Sequence, residues 1–295
     1  MSKYTVKSYQ EGFAEEQARI DIEVSKTWLM PKHTPLDQLI RFYSDFDIDP
    51  KLRLYCFLED TMIGFVSCRL MDKDEDGINR IKLDFPVVLP ENEEAIDLLH
   101  EKALEVLRGK GIQVVHSTFG LWGGTEAWAQ KWGYRRIDEI GVLSGIDVSS
   151  VGFSGETGEV RPFNPETDLD DCVRIFVQEY GLPEEGVRNF THSLIDSERT
   201  LAYYVLRDDG DIVATGALGR NPNVPTLGFL SAVYSRGTNE LKRLMTKITS
   251  VSREQGIERI LMFFTHLRPD DPEIEKYSAL GFSYLGSNVN YEKEI

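Results

Sequence analysis

The sequence has few features of a secreted, membrane-spanning or metal-binding protein. Its three cysteines, Cys56, Cys68 and Cys172, are scattered, so they predict neither a disulfide framework nor a Cys/His zinc site. The first residues lack the apolar core of a signal peptide, and no apolar run is long enough to span a bilayer. These absences predict a cytoplasmic protein in a reducing compartment, without membrane association.

Basic residues are also scarce relative to acidic ones. The chain has 33 Lys and Arg against 49 Asp and Glu, a formal net charge of -16. Binding to the phosphates of duplex nucleic acid requires a broad cationic surface, so this class of partner is disfavoured. A local cationic pocket remains compatible with the composition, and the acidity itself favours solubility.

Length and composition indicate two globular domains. The chain has 295 residues, of which 41% are hydrophobic and 28% charged, enough for two independent cores. A Ser- and Gly-rich stretch with little apolar periodicity covers residues 149–159. We therefore predict one domain over residues 1–150 and a second over residues 157–295.

A segment of the first half recurs in the second half. Residues 54–70 read LYCFLEDTMIGFVSCRL and residues 202–218 read AYYVLRDDGDIVATGAL. Each contains two β-rich runs joined by a short polar turn, which predicts a β-hairpin. Internal repetition of this kind indicates two domains of the same fold.

The elements around each hairpin also follow the same order. Upstream lie a strand and polar helices; downstream lie a strand, a long helix near residues 93–110 or 238–255, an apolar strand, and a short helix ending in a Gly-aromatic pair. The pattern predicts a mixed α/β sheet with helices on its faces in each half.

This element order, ending in YSALGF, resembles the GCN5-related N-acetyltransferase (GNAT) superfamily, and the repeat resembles a tandem of two GNAT-like acyl-CoA N-acyltransferase domains. In that family the fourth and fifth strands diverge, and acetyl-CoA binds between them with its pyrophosphate at the N-terminus of the connecting helix. Backbone N–H groups and the helix dipole favour an anion there.

The pyrophosphate loop of the family has the form Arg/Gln-x-x-Gly-x-Gly/Ala. The second half offers RGTNEL at residues 236–241, in which Arg236 matches while Asn239 and Leu241 replace the glycines. We expect Leu241 to crowd a phosphate. A simple turn with a Ser or Thr N-cap is the structural alternative. The resemblance implies cofactor contacts from Ala232, Val233, Ser235, Arg236, Gly237, Thr238 and Asn239.

The same resemblance suggests groups for the chemistry. A backbone N–H of Ala232 or Val233 would bind the thioester carbonyl oxygen, and Tyr277, four residues before Gly281, would protonate the departing thiolate. His266 follows the apolar strand and is a candidate proton relay. Packing of Tyr277 on the sheet and a capping or packing role for His266 are the alternatives. No general base is indicated.

The first half departs further from the family. Its corresponding loop reads PENEEA at residues 90–95, without Arg or Gly, and Ala129 occupies the position of Tyr277. Asp84 and Pro86 predict a strand with an interrupted ladder, since Pro has no N–H to donate. We read Asp84 as a solvated strand residue. This half is expected to be degenerate and not to bind CoA in the usual way.

Two functions remain after this comparison. The first is an acetyl-CoA-dependent N-acetyltransferase that acts on an unidentified small-molecule or peptide amine in the second domain. The second is a non-catalytic ligand-binding or interaction protein, since a fold does not itself confer chemistry. A donor such as aminoacyl-tRNA is disfavoured by the acidic charge.

Overall fold

The structure is a computed structural model that describes residues 3–26, 28, 34–45, 49–71, 77–120, 123–151, 159–265 and 267–295. The chain divides into two compact units. Unit 1 comprises Met1–Ile140 together with Gly286–Ile295, and unit 2 comprises Gly141–Leu285. The mixed α/β fold predicted from the sequence is confirmed in both units.

The first half of the chain contributes seven strands and four α-helices among its described residues. They are β1 (Tyr4–Ser8), α1 (Phe13–Ser25), α2 (Leu36–Asp45), β2 (Arg53–Leu58), β3 (Thr61–Leu70), β4 (Arg80–Leu83), β5 (Val87–Val88), α3 (Glu94–Gly109), β6 (Val114–Gly120), α4 (Glu126–Lys131) and β7 (Arg135–Asp147). The predicted hairpin is β2–β3, and the predicted long helix is α3.

The second half repeats this order. Its elements are β8 (Val160–Pro162), α5 (Pro165–Tyr180), α6 (Glu184–Ile195), β9 (Thr200–Asp208), β10 (Asp211–Arg220), β11 (Leu227–Ser235), α7 (Thr238–Glu254), β12 (Arg259–Thr265), α8 (Pro272–Ser278) and β13 (Ser283–Glu294). Among the described strands, each unit has one parallel pair, β4 with β6 and β11 with β12, and the other strand pairs given for each unit are antiparallel.

The final strand of each unit comes from the other half of the sequence. In unit 1, residues 288–294 of β13 pair antiparallel with β6. In unit 2, residues 141–147 of β7 pair antiparallel with β12. The compact units therefore differ from the domains predicted at 1–150 and 157–295, because the two last strands are exchanged. Residues 152–158 of the predicted linker lie outside the described residues.

The exchanged strands supply core residues to the unit in which they pair. Val289 and Tyr291 are buried among the side chains of unit 1, and Val142 and Ile146 are buried among those of unit 2. Burying an aliphatic side chain stabilises a fold by roughly 1.5 to 3 kcal/mol. The exchange is therefore part of each hydrophobic core.

Glycine permits the close approach of β7 to β12. A Cβ added at Gly141 would lie 2.5 Å from both Phe263 Cζ and the Phe264 carbonyl oxygen. Real Cβ atoms do not come so near to backbone oxygen. Any larger residue at this position would push the exchanged strand away from its partner.

A buried carboxylate anchors α5 to the sheet of unit 2. Asp168 is fully buried and accepts a bidentate pair of hydrogen bonds from Arg161 at 2.7 Å. Its oxygens also accept from Arg207 at 2.9 Å and from the Asn164 N–H at 2.8 Å. Burial by itself would raise the pKa of Asp168, but these donors outweigh it and lower the pKa to about 2.

The three cysteines are buried in the two units, and burial raises the pKa of their thiols to about 11 for Cys56, 12 for Cys68 and 11 for Cys172. Because the thiolate is the nucleophile, we expect the folded protein to react with an aromatic disulfide reagent about 10²-fold or more slowly than the unfolded chain. Absorbance of the released thiol in buffer and in denaturant measures this difference. Rapid labelling of even one cysteine in the folded protein would contradict it.

Candidate functional site

In unit 2 the two parallel strands separate at their carboxyl ends. Their pairing runs from Leu227–Arg259 to Leu230–Met262 and stops there, although β11 continues to Ser235 and β12 to Thr265. We call this opening the second cleft. The carboxyl ends of parallel strands are the usual place for a ligand in an open α/β sheet.

A β-bulge in β11 lies at the mouth of the second cleft. Ala217 pairs with Ser231 and Thr215 pairs with Tyr234, so β11 has one residue more than β10 over this stretch. The extra residue falls at Ala232, which has a φ of 50°. A bulge re-aims backbone groups that would otherwise be paired in the ladder. The Ala232 and Val233 backbone is thus distinct from a regular strand.

The loop from β11 to α7 brings together the predicted cofactor contacts. Ser235 is buried, and its Oγ has no hydrogen-bond partner within the described structure. Arg236 is exposed, and its guanidinium lies 3.5 Å from Asp211. Helix α7 starts after Gly237 without a side-chain cap, so the N–H groups of Thr238 and the residues after it face no capping hydroxyl.

Glu240 is a feature of this loop that the sequence analysis missed. A Cβ added at Gly237 would lie 2.8 Å from Glu240 Oε2, so the carboxylate folds back against the start of α7. An acidic side chain in the third helical position stabilises a helix N-terminus in this way. The Glu240 carboxylate therefore occupies the region that the resemblance assigns to an anion. The acidic residue in RGTNEL was the sequence feature from which this position could have been predicted.

The expectation that Leu241 crowds a phosphate is not met. Leu241 is fully buried and packs with Leu244 and Met245 in the core of unit 2. Its side chain therefore points into the protein rather than toward the loop surface. Although Leu241 replaces a glycine of the family's loop, its side chain does not block access to the N-terminus of α7. The Glu240 carboxylate is the group that restricts this access.

Tyr277 lies on α8, as predicted, and its side chain is only 1% exposed. Its ring packs edge-on against Phe264 at 4.7 Å and against Phe282 at 5.8 Å between ring centroids. Burial raises the pKa of Tyr277 well above its usual value, with smaller contributions in the same direction from Tyr180 and Glu273. The phenol is protonated throughout the physiological range.

A second tyrosine, Tyr180, lies at the bulge. It ends helix α5, is 42% exposed, and donates a hydrogen bond to the Val233 carbonyl at 3.3 Å. Burial of its hydroxyl end raises the pKa of Tyr180, followed by the charge of Glu273. No sequence motif marks Tyr180, because its position depends on how α5 packs on the sheet.

The other catalytic candidate, His266, lies outside the described residues. Within the part of the chain that the structure does describe, no group of His, Cys, Asp and Glu side chains is arranged to hold a metal ion. No helix there is long and apolar enough to cross a membrane.

Unit 1 has a corresponding opening with different chemistry. Parallel pairing of β4 with β6 ends at Lys82–His116, and the strand is interrupted between Leu83 and Val87, as Asp84 and Pro86 predicted. Asp84 is not simply solvated: it accepts a hydrogen bond from Arg69 at 2.8 Å. Ala129 is fully buried, so no hydroxyl takes the place of Tyr277.

Comparison with solved structures identifies the fold. The chain is similar to a GNAT from Sphaerobacter thermophilus (14% identity, 100% of this chain and 96% of that chain, TM-score 0.62). It is also similar to a tandem GNAT protein from the clavulanic acid biosynthesis pathway (14% identity, 99% of this chain and 98% of that chain, TM-score 0.63). A third similar structure is a GNAT-family acetyltransferase from Colwellia psychrerythraea (13% identity, 98% of this chain and 99% of that chain, TM-score 0.63). No protein-family model and no curated protein sequence matches.

Proposed function

Since the chain has the fold of a tandem GNAT protein, we propose that it is an acyl-CoA-dependent N-acyltransferase, with acetyl-CoA as donor, an amine as acceptor, and the second cleft as its active site. The observation that carries this proposal is the β-bulge at Ala232. This residue has a φ of 50°, unlike a residue in a regular strand, and it lies shortly before the uncapped start of α7. At identities of 13 to 14% the similarity itself extends only to the fold.

The residues of the second cleft fit such a donor in three respects. The N–H groups at the start of α7, which no described side chain caps, and the Arg236 guanidinium suit a pyrophosphate. The buried Ser235 Oγ, which has no hydrogen-bond partner among the described residues, is available to a polar group. The opening between β11 and β12 leaves strand backbone without a partner for an extended chain.

The proposed mechanism depends on holding the two reactants close together and on stabilising the negative charge that develops during the reaction. The cleft would hold the amine against the thioester, and the backbone N–H groups of Ala232 and Val233 would stabilise the oxyanion that develops on the carbonyl oxygen. The amine nitrogen would form the new amide bond as the C–S bond breaks. Tyr277 would give its proton to the departing thiolate and then recover a proton from solvent. The acceptor's own proton leaves to solvent or to a base outside the residues assigned here.

One observation favours the non-catalytic alternative. The Glu240 carboxylate against Gly237 repels a polyanion unless the side chain turns away. A tandem GNAT fold that binds another ligand, or a partner, is compatible with that arrangement. Binding of acetyl-CoA to the intact chain separates the two functions.

The test measures acetyl-CoA affinity by titration calorimetry for two variants of the loop. Arg236→Glu should weaken binding by about 1.5 to 3 kcal/mol from the lost charge-assisted hydrogen bond, plus added repulsion. Glu240→Gln should strengthen binding by roughly 3- to 10-fold because one negative charge leaves the site. Because the two substitutions should change the acetyl-CoA affinity in opposite directions, a general loss of folding would not explain both results.

Matched controls lie on the same helix. Arg243→Glu and Glu254→Gln make the same charge changes farther along α7, where Arg243 pairs with Glu159. Both should leave the affinity within twofold of the wild type. Equal affinity for wild type and Arg236→Glu would exclude this loop, and absence of any acetyl-CoA binding by the wild type would favour the non-catalytic alternative.

A further inference from the structure

Unit 1 contains a cavity of about 330 Å³ at the divergence of β4 and β6. We call it the first cleft. Its wall is aromatic and aliphatic, formed chiefly by Trp28, Phe85, Pro86, Ile96 and Trp128. A cavity of this size, lined largely by hydrophobic and aromatic residues with a few polar groups, is typical of a small-molecule site.

The aromatic wall is preformed by packing. Phe85 contacts Trp128 edge-on at 6.2 Å and Phe119 at 6.1 Å between ring centroids. Trp128 also lies 5.2 Å from Trp132, whose indole N–H donates to Asp97 at 2.8 Å. A ligand would therefore not have to order these rings, and that lowers the entropic cost of binding.

Glu93 is the one charged residue among the described residues that line the first cleft. Its carboxylate makes no ion pair with another described residue, whereas the adjacent Glu94 is 3.1 Å from Lys3. The Thr125 hydroxyl, which also lines the cleft, already donates to and accepts from the backbone of Gly120. Among the described lining side chains, Glu93 is thus the acceptor left for a cationic ligand, because the indole N–H groups of Trp28 and Trp128 can only donate.

The charge balance of the first cleft opposes a polyphosphate. The helix dipole places only about half a positive charge at the start of α3, while Glu91 and Glu93 each contribute a full negative charge. Pro86, in the interrupted strand, has no N–H to offer an anion. The ring faces favour cations, as the Lys131 ammonium shows at 4.3 Å from the Trp128 centroid.

We propose that the first cleft is a binding site for a small organic cation, a protonated amine on an aromatic or alkyl body. The apolar body packs against Phe85 and Trp128, and the ammonium group pairs with Glu93. This site is separate from the donor site proposed in unit 2 and does not require acyl transfer. The degenerate loop of the first half then reflects a change of ligand.

The probe for this site is phenethylammonium chloride, titrated into the full chain while tryptophan fluorescence is recorded. All four tryptophans, Trp28, Trp122, Trp128 and Trp132, belong to the unit 1 part of the sequence, so the signal reports on that unit. We expect a saturable change, with phenethyl alcohol about five- to tenfold weaker and hydrocinnamate weaker still. Equal affinity for the cation and the alcohol would overturn the role of the ion pair.

Three variants complete the test. Glu93→Gln should weaken phenethylammonium binding about five- to tenfold, whereas Glu94→Gln, the same change one residue away, should have no effect beyond twofold. Glu93→Lys should reverse the preference in favour of hydrocinnamate. No saturable signal in the wild type, or equal responses in both Gln variants, would overturn the proposal. Either result leaves the acetyl-CoA test of unit 2 unaffected.

Discussion

Tyr277→Phe is expected to lower turnover by about 10² to 10⁴-fold with little change in acetyl-CoA affinity. Phenylalanine retains the edge-on packing of the ring against Phe264 and Phe282 and removes only the hydroxyl. A proton donor acts when the thiolate leaves, so its loss should appear in kcat rather than in donor binding. Release of the CoA thiol, measured with any amine that the wild type acetylates, gives the rate.

The pH profile adds a second readout for Tyr277. A general acid loses activity when it ionises, and burial raises the pKa of Tyr277 well above that of an ordinary phenol. An alkaline limb caused by this group should therefore lie above the usual phenol range. The position of this alkaline limb would not distinguish Tyr277 from Tyr180, because burial also raises the pKa of Tyr180.

Two further substitutions resolve that ambiguity. Tyr180→Phe removes the hydrogen bond to the Val233 carbonyl, and Tyr284→Phe alters a tyrosine that is 48% exposed on β13. We expect the large loss only in Tyr277→Phe, and near wild-type turnover in Tyr284→Phe. Full activity of Tyr277→Phe would retire it as the acid, and a large loss confined to Tyr180→Phe would transfer the role there.

Asp168→Asn is expected to destabilise the protein by about 3 kcal/mol at neutral pH. Breaking a buried ion pair costs roughly 3 to 5 kcal/mol, and the lower end applies because Arg161 and Arg207 remain 41% and 23% exposed. The amide retains the shape of the carboxylate but not its charge. Urea unfolding followed by circular dichroism gives the difference in the free energy of unfolding.

The effect of Asp168 should depend on pH with a defined sign. The pKa of Asp168 is lowered to about 2 in the folded protein, so its stabilising contribution is complete above the unfolded value near 4. That contribution disappears as the pH falls from about 4 toward 2. The wild type and Asp168→Asn should therefore converge in stability over this interval.

Asp170→Asn is the matched control for the stability measurement. Asp170 lies on the same helix and pairs with Arg188 at 2.9 Å, but its side chain is 88% exposed. Removing an exposed pair should change the free energy of unfolding by less than about 1 kcal/mol, without the acid dependence. Similar losses in both variants would show that Asp168 does not act through its buried position.

Local signals in the sequence predicted the elements well. The hairpin at 54–70 appears as β2 and β3, and the helix near 93–110 appears as Glu94–Gly109. Alternating apolar residues and polar turns determine such elements over short distances. The interruption at Pro86 was predicted for the same reason, since a missing N–H is a property of the residue itself.

Features that depend on distant parts of the chain were not predicted. The local sequence of residues 135–147 and of residues 283–294 predicts a strand in each case, but nothing in either segment says which sheet the strand joins. Glu240 and Tyr180 likewise acquire their positions from the packing of α7 and α5. The predicted domain boundary differed from the compact units because it assumed that each half folds on its own last strand.

The strand exchange also affects how the first unit can fold while the chain is being translated. Within residues 1–140, β6 pairs with β4 on one edge, but the strand that pairs with its other edge is absent until residues 286–295 have been translated. At about 5 to 20 residues per second, the nascent first unit waits on the order of ten to thirty seconds with that sheet edge exposed. An unpaired edge is a template for association with other chains. We therefore expect the first half to be prone to association with other chains until its last strand has been translated.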